Sequence, residues 1–156
     1  MLTFRTIDLG AHSQVVLRFR DEFMRDGGGT LDPDRSDRQY LARLRQKIAT
    51  EPRFAVHAWK GDDIVGEVLL DRYYHDPSAG WVNRHYVVAA ERGTGAAAEL
   101  DAYTEQVFTE LGLTRAYVAT FPQNERAIRF YLRQGWTDLG PPAWQPRVHL
   151  LERHYR

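Results

Sequence analysis

The sequence predicts a single layered domain of the α/β (α+β) class. Three observations predict it. Strand-like runs alternate with runs of helical period in the order β-α-α-β-β-β-α-β-α-β-β. No repeat, low-complexity stretch or linker divides residues 1–156. A hydrophobic content of 43%, with 12% aromatics, is enough to fill one core.

The elements follow in chain order. Residues 2–7 alternate apolar and polar as a half-buried strand does, and residues 11–25 place Val15, Val16, Phe19 and Phe23 at helical spacing. Residues 27–34, opening on Gly27-Gly28-Gly29-Thr30, read as a flexible connector to a second helix whose face carries Tyr40, Leu41, Leu44 and Ile48. Pro52 closes that helix. Residues 53–59 and 64–70 are strand-like and joined by the turn Lys60-Gly61-Asp62-Asp63, and residues 81–88 form the next strand. From Gly95 the period changes: Ala96, Leu100, Tyr103, Val107 and Leu111 recur at three and four residues until Gly112 stops the helix. Residues 115–120 are a short strand. Asn124 caps a helix with Ala127, Ile128 and Tyr131 on one side, Gly135 ends it, and a last strand runs from 147 to about 155.

Composition excludes several functions. Lysine plus arginine equals aspartate plus glutamate at 21 each, so no global field draws nucleic acid or an anionic membrane, and a nucleic-acid partner is not expected. The absence of cysteine removes disulfides, thiolate metal sites and a thiol nucleophile, and no metal site is expected. No apolar run approaches the roughly 20 residues of a membrane span, and the N-terminus lacks a signal-peptide apolar region, so a cytoplasmic location is expected.

One segment carries chemistry. The strand over 81–88 runs into Ala89-Ala90-Glu91, then Arg92-Gly93-Thr94-Gly95-Ala96-Ala97, and then directly into the clearest helix. A helix start presents free N–H groups and a partial positive charge, so such a turn suits a pyrophosphate. Gly93 and Gly95 allow close approach of the backbone, Ala96 and Ala97 keep the entrance narrow, and Arg92 is placed for a charge-assisted contact or a structural hydrogen bond. The spacing matches neither a nucleoside-triphosphatase loop nor a dinucleotide fingerprint. Taken alone it is also compatible with an ordinary strand–helix turn.

The run from Val87 to Ala97 resembles the cofactor motif of GNAT acetyltransferases, Arg/Gln-x-x-Gly-x-Gly/Ala, at the end of their fourth strand. Residues 124–136 are similar to that family's Asn-x-x-Ala-x-x-x-Tyr-x-x-x-Gly-Phe segment, with Trp136 for phenylalanine. The resemblance spans about Trp81 to Leu139, and the family's usual proline falls at Ala89. It implies a mixed, mostly antiparallel sheet of about seven strands with splayed fourth and fifth strands, flanked by about four helices. It also implies acetyl-coenzyme A as acyl donor, held by Val87, Val88, Ala89, the turn Arg92 to Ala97, Asn124, Ala127, Phe130 and Tyr131.

The implied reaction is direct acetyl transfer to a primary amine of a small molecule or peptide. Tyr131 matches the tyrosine that protonates the departing thiolate, and an ordinary phenol remains protonated at neutral pH. A backbone N–H at Val87 or Val88 is placed to polarise the thioester carbonyl. For the base, the candidates are His85, on the strand face of Val87, and Glu67, which strand alternation also places in solvent; the family often uses a water chain instead. Asp71, Tyr73, Tyr74, His75 and Asp76 either line the acceptor pocket or form a loop. Two further readings stay open, a non-catalytic acyl-CoA-binding module and an enzyme acetylating aminoacylated transfer RNA, and exposed strand edges allow a homodimer.

Overall fold

The computed structural model describes residues 1–27, 29 and 31–156; Gly28 and Thr30, and with them part of the expected connector, lie outside the described residues. The elements are β1 (Thr3–Thr6), α1 (Leu9–Gly27), α2 (Asp37–Thr50), β2 (Ala55–Lys60), β3 (Asp63–Tyr73), β4 (Asp76–Val87), α3 (Ala96–Glu110), β5 (Arg115–Thr120), α4 (Glu125–Arg133), β6 (Thr137–Asp138) and β7 (His149–His154). One sheet of seven strands runs in the order β1-β2-β3-β4-β5-β7-β6. Every neighbouring pair is antiparallel except β4 with β5. The seven strands, the four helices and the mixed, mostly antiparallel sheet are those the fold class called for.

Strand alternation divides the core between two faces. Val56, Ala58, Val68, Leu70 and Val82 pack with Leu100, Val107 and Phe108 of α3 and with Tyr131 of α4. The intervening positions Ala55 and Leu69 pack with Val16 of α1 and with Tyr40 and Leu44 of α2. Gly80 is required by this packing, since a Cβ there would lie 2.5 Å from the Phe108 ring.

The hairpin of β3 and β4 is longer than expected. The strands expected over 64–70 and 81–88, with a polar loop between them, belong to one longer ladder that pairs Asp71 with Trp81 and Arg72 with Gly80 and, past an irregularity after Arg72, Tyr73 with Asp76. Cross-strand ring stacking of Tyr73 on Trp81, at 5.1 Å and 7°, supports that extension. A register shift between Leu69 and Leu70 leaves Asn83 without a partner. This bulge puts Trp81 and Arg84 on the α1/α2 face and Val82 and His85 on the α3/α4 face.

β4 and β5 pair only from Gly80–Val82 to Ala116–Val118. Both strands continue, β4 to Val87 and β5 to Thr120, so beyond Val82 they splay apart. The splay opens a gap between the two faces of the sheet near the end of β4.

Candidate active site

A cleft of about 990 Å³ runs through the splay, at the upper end of the usual size of ligand pockets. One end is formed by Arg92, Gly93, Gly95 and Ala97 and by Asn124, Arg126, Ala127, Phe130 and Tyr131. The other lies on the α1/α2 face and includes Tyr40, Arg84, Tyr73 and Trp144.

The turn before α3 is built by its glycines. Gly93 has φ 77° and Gly95 has φ 91°, a region that L side chains rarely adopt. Nothing lies within 4 Å of a Cβ placed at either glycine, so the turn is open beside both residues. Gly95 is the N-cap of α3 and has no side-chain cap, which leaves first-turn amides of that helix for an anion.

Arg92 donates to Asp26 Oδ2 at 2.7 Å and so ties the turn to α1. Thr94 donates to the Glu91 carbonyl at 2.5 Å, and Thr94 and Ala96 face a small separate pocket beside Met1 and Leu2. Their side chains are therefore turned away from the cleft, and only their backbone can serve it.

The backbone of β4 narrows the choice of carbonyl-polarising donor. Val88 N–H donates to the Val65 carbonyl at 2.9 Å, and the Val88 carbonyl accepts from Glu91. Val88 is thereby removed from the two donors expected, because its amide is already bonded. Bonded and non-bonded pairs alternate along an antiparallel ladder. The pairs Val87–Gly66 and His85–Val68 are thus non-bonded ones, and their N–H groups point into the splay. The Ala89 carbonyl accepts from Arg92 within the short turn that follows.

Tyr131 and His85 meet at this point. Tyr131 Oη lies 3.1 Å from His85 Nδ1, and His85 Nε2 lies 2.7 Å from Thr104 Oγ1. Thr104 is fully buried and donates to the Leu100 carbonyl at 3.0 Å. A threonine has one hydroxyl proton. With that proton on Leu100, His85 must donate from Nε2 and accept at Nδ1, so the tyrosine donates to the imidazole. Burial holds His85 down at about 3 and pushes the Tyr131 phenol well above its ordinary value. Both groups are neutral over the physiological range. His85, with both ring nitrogens engaged, is suited to orienting Tyr131 and poorly suited to taking a proton from solvent.

Glu67 stands on the opposite face. Its side chain is fully buried, not turned to solvent as alternation allowed, and is not part of the cleft lining. It accepts from Arg84 Nη1 at 3.3 Å and lies 2.9 Å from His57 Nε2. Arg84 Nη1 also donates to Tyr40. A burial that deep without ion pairing costs several kcal/mol, so this network is a structural tie between β2, β3, β4 and α2. The sheet thus separates the two base candidates rather than joining them.

Asn124 caps α4 by accepting from Ala127 N–H at 3.2 Å, and it also borders the cleft. Residues that sequence reasoning missed are Thr104, Arg126 and Arg133. Thr104 carried a signal, a hydroxyl one turn after Leu100 on the apolar stripe of its helix. Among the described residues no group of histidines and carboxylates is arranged to hold a metal, and no helix is long and apolar enough to cross a membrane.

Splayed central strands, a glycine turn feeding a helix and a buried tyrosine at the splay define an acyl-CoA-type transferase fold. The chain matches the acetyltransferase (GNAT) family over residues 16–136 and belongs to it. Compared by sequence with curated proteins, the chain matches none. Among solved structures it is similar to a GNAT-family acetyltransferase from Staphylococcus aureus Mu50, at 13% identity and TM-score 0.77, with 100% of each chain covered. It is also similar to a ribosomal-protein-alanine N-acetyltransferase from Brucella melitensis, at 13% identity and TM-score 0.77, covering 98% of this chain and 99% of that one. It is similar as well to a PaiA N-acetyltransferase from Thermoplasma acidophilum in complex with coenzyme A, at 13% identity and TM-score 0.69, covering 99% of each chain; at such identities what these likenesses establish is the fold.

Proposed function

We propose that the chain is an acetyl-CoA-dependent N-acetyltransferase that passes the acetyl group directly to a primary amine of a small molecule or peptide. The observation that carries this reading is the placement of Tyr131 beside the splay, in a cleft that opens on both faces of the sheet. A donor entering from the α3/α4 side and an amine from the α1/α2 side meet there without a covalent enzyme intermediate.

The residues fit coenzyme A. The amides before and at the start of α3 suit the pyrophosphate, Arg126 and Arg133 add positive charge along the cleft, and the Val87 N–H faces the pantetheine path. When bound, the thioester supplies an activated acyl carbon and a thiolate leaving group. The N–H groups of Val87 and His85 polarise the carbonyl, and positioning supplies much of the rate. Tyr131 keeps its proton, hydrogen bonded to His85 Nδ1, until an anionic sulfur, a stronger acceptor than a neutral imidazole, takes it. Water in the cleft removes the ammonium proton, since His85 is already engaged and Glu67 is on the far face. A cytoplasmic location and an acceptor other than nucleic acid belong to the same reading.

The test is turnover. Purified protein incubated with acetyl-CoA and a panel of amines and peptides is expected to release thiol and form an acetylated product seen by mass spectrometry. Tyr131→Phe is expected to lower kcat by about 100-fold, the usual weight of general acid catalysis, with little change in the KM for acetyl-CoA. Binding of acetyl-CoA without turnover of any amine defeats the catalytic reading, and an unchanged kcat in Tyr131→Phe removes the tyrosine from its role.

A further inference from the structure

At the α1/α2 end of the cleft, Tyr73, Tyr74, His75, Trp81 and Trp144 form an aromatic wall. Trp144 comes from the segment between β6 and β7, and the other four from the β3–β4 hairpin. The wall is preorganised. Trp144 Nε1 donates to Tyr73 Oη at 3.2 Å, and its ring stacks on His75 at 5.3 Å and 27°. Tyr73 is fixed in turn by stacking on Trp81 and by the Tyr117 ring at 4.7 Å.

Two features of the wall are not explained by folding. Trp144 is 41% exposed and Tyr74 is 89% exposed, although both are large rings that a core would cover. The two-residue tip joining β3 to β4 is Tyr74-His75, where glycine, asparagine or aspartate is the usual choice. Local rules broken without a structural gain point to a functional surface.

We infer that the acceptor amine carries a planar aromatic group, which lies against Trp144, Tyr74 and His75 while the amine reaches the splay. This rests on the acetyltransferase reading. A ring is favoured over a second cation because the nearby carboxylates are already neutralised within the chain. Asp71 is paired with Lys47 at 2.7 Å and Asp76 with Arg115. No surplus negative charge accompanies the ring faces, whereas cation recognition by aromatics gains most from such charge. Trp81 precedes His85 by four residues on β4, which sets the ring and the amine on the order of 10 Å apart. The acceptor is therefore an aromatic ring on a spacer, or a short peptide with an aromatic side chain.

The experiment pairs phenylalkylamines of increasing chain length with straight alkylamines of the same length. The expected result is a kcat/KM advantage of about threefold to tenfold for the ring-bearing member, the gain typical of stacking, largest at longer spacers. That ratio is expected to fall toward one in Trp144→Ala and in Tyr74→Ala, the second being a fully surface change that protects the test against misfolding. A ratio unaffected in both variants, or an advantage for diamines over phenylalkylamines, overturns the inference and leaves the acetyltransferase reading standing. A second readout needs no turnover: phenylalkylamine added to the acetyl-CoA-saturated protein is expected to shift the Trp144 indole N–H resonance. No shift at millimolar ligand overturns the inference.

Discussion

At the scale of single residues, the site depends on where a few protons sit. Thr104 has no contact with either substrate in this reading, yet its hydroxyl fixes the tautomer of His85 and through it the orientation of Tyr131. Thr104→Val keeps the shape and removes the hydroxyl. It is expected to lower kcat by roughly tenfold while Thr104→Ser retains it, the scale of one lost orienting hydrogen bond near 1.4 kcal/mol. Nitrogen chemical shifts of His85 check the cause, because Nε2–H is expected in the parent and a mixture in Thr104→Val. With His85 held down at about 3, the rate profile is expected to show no inflection from it between pH 5 and 8. The rate instead rises with pH as the acceptor amine loses its proton.

Asp101 gives a second residue-scale prediction, on stability. It accepts from Trp136 Nε1 at 3.1 Å, and burial pushes its carboxyl up to about 6. A carboxyl raised on folding makes the folded state bind the proton more tightly than the unfolded chain. Its contribution is therefore fully present below about pH 4 and is lost as pH rises through about 6. Asp101→Asn imitates the neutral form and can keep the bond to Trp136. It is expected to gain on the order of 3 kcal/mol relative to the parent between pH 4 and pH 7, read from denaturant unfolding at each pH. A difference that does not grow with pH contradicts the buried-carboxyl account.

At the scale of elements, the turn between β4 and α3 is the part most constrained by its backbone. Gly95→Glu forces a side chain to φ 91° and places a negative charge at the amides proposed for the pyrophosphate. We expect a folded protein, destabilised by about 1–2 kcal/mol from the left-handed conformation, whose affinity for acetyl-CoA falls at least 100-fold by calorimetry. Undiminished affinity in the folded variant rules out this turn as the phosphate site. The β4 bulge at Asn83 is the second decisive element. Without the extra residue, His85 would share the face of Trp81 and would not meet Thr104 or Tyr131.

At the scale of the whole molecule, the cleft is bounded by both helical layers and by the splay, so a ligand bound along it adds contacts between parts that are otherwise joined mainly through the sheet. Acetyl-CoA at about 100 times its Kd is expected to stabilise the fold by about 2.7 kcal/mol. For a chain of this size that raises Tm by roughly 5–10 °C, and desulfo or dephosphorylated fragments are expected to raise it less. A ligand-independent Tm removes the cleft as the cofactor site.

The sequence by itself determined most of the elements and the two local features proposed to hold the donor, because these are written in short-range spacing. The helix after Gly95 is written in one apolar period, the turn proposed for the phosphates in two glycines at strand–helix spacing, and the cap of α4 in Asn124. Tertiary structure decided what depends on faces and register. One bulged residue assigns His85 and Glu67 to opposite sides of the sheet, an alternation that sequence spacing counts wrongly once a strand contains an extra residue. Pairing with Val65 withdraws the Val88 amide, and burial turns His85 from a candidate base into the holder of the Tyr131 proton. The acceptor wall was the least legible part, because Trp144 reaches Tyr73 and His75 across about half the chain, and no local pattern encodes a contact of that separation.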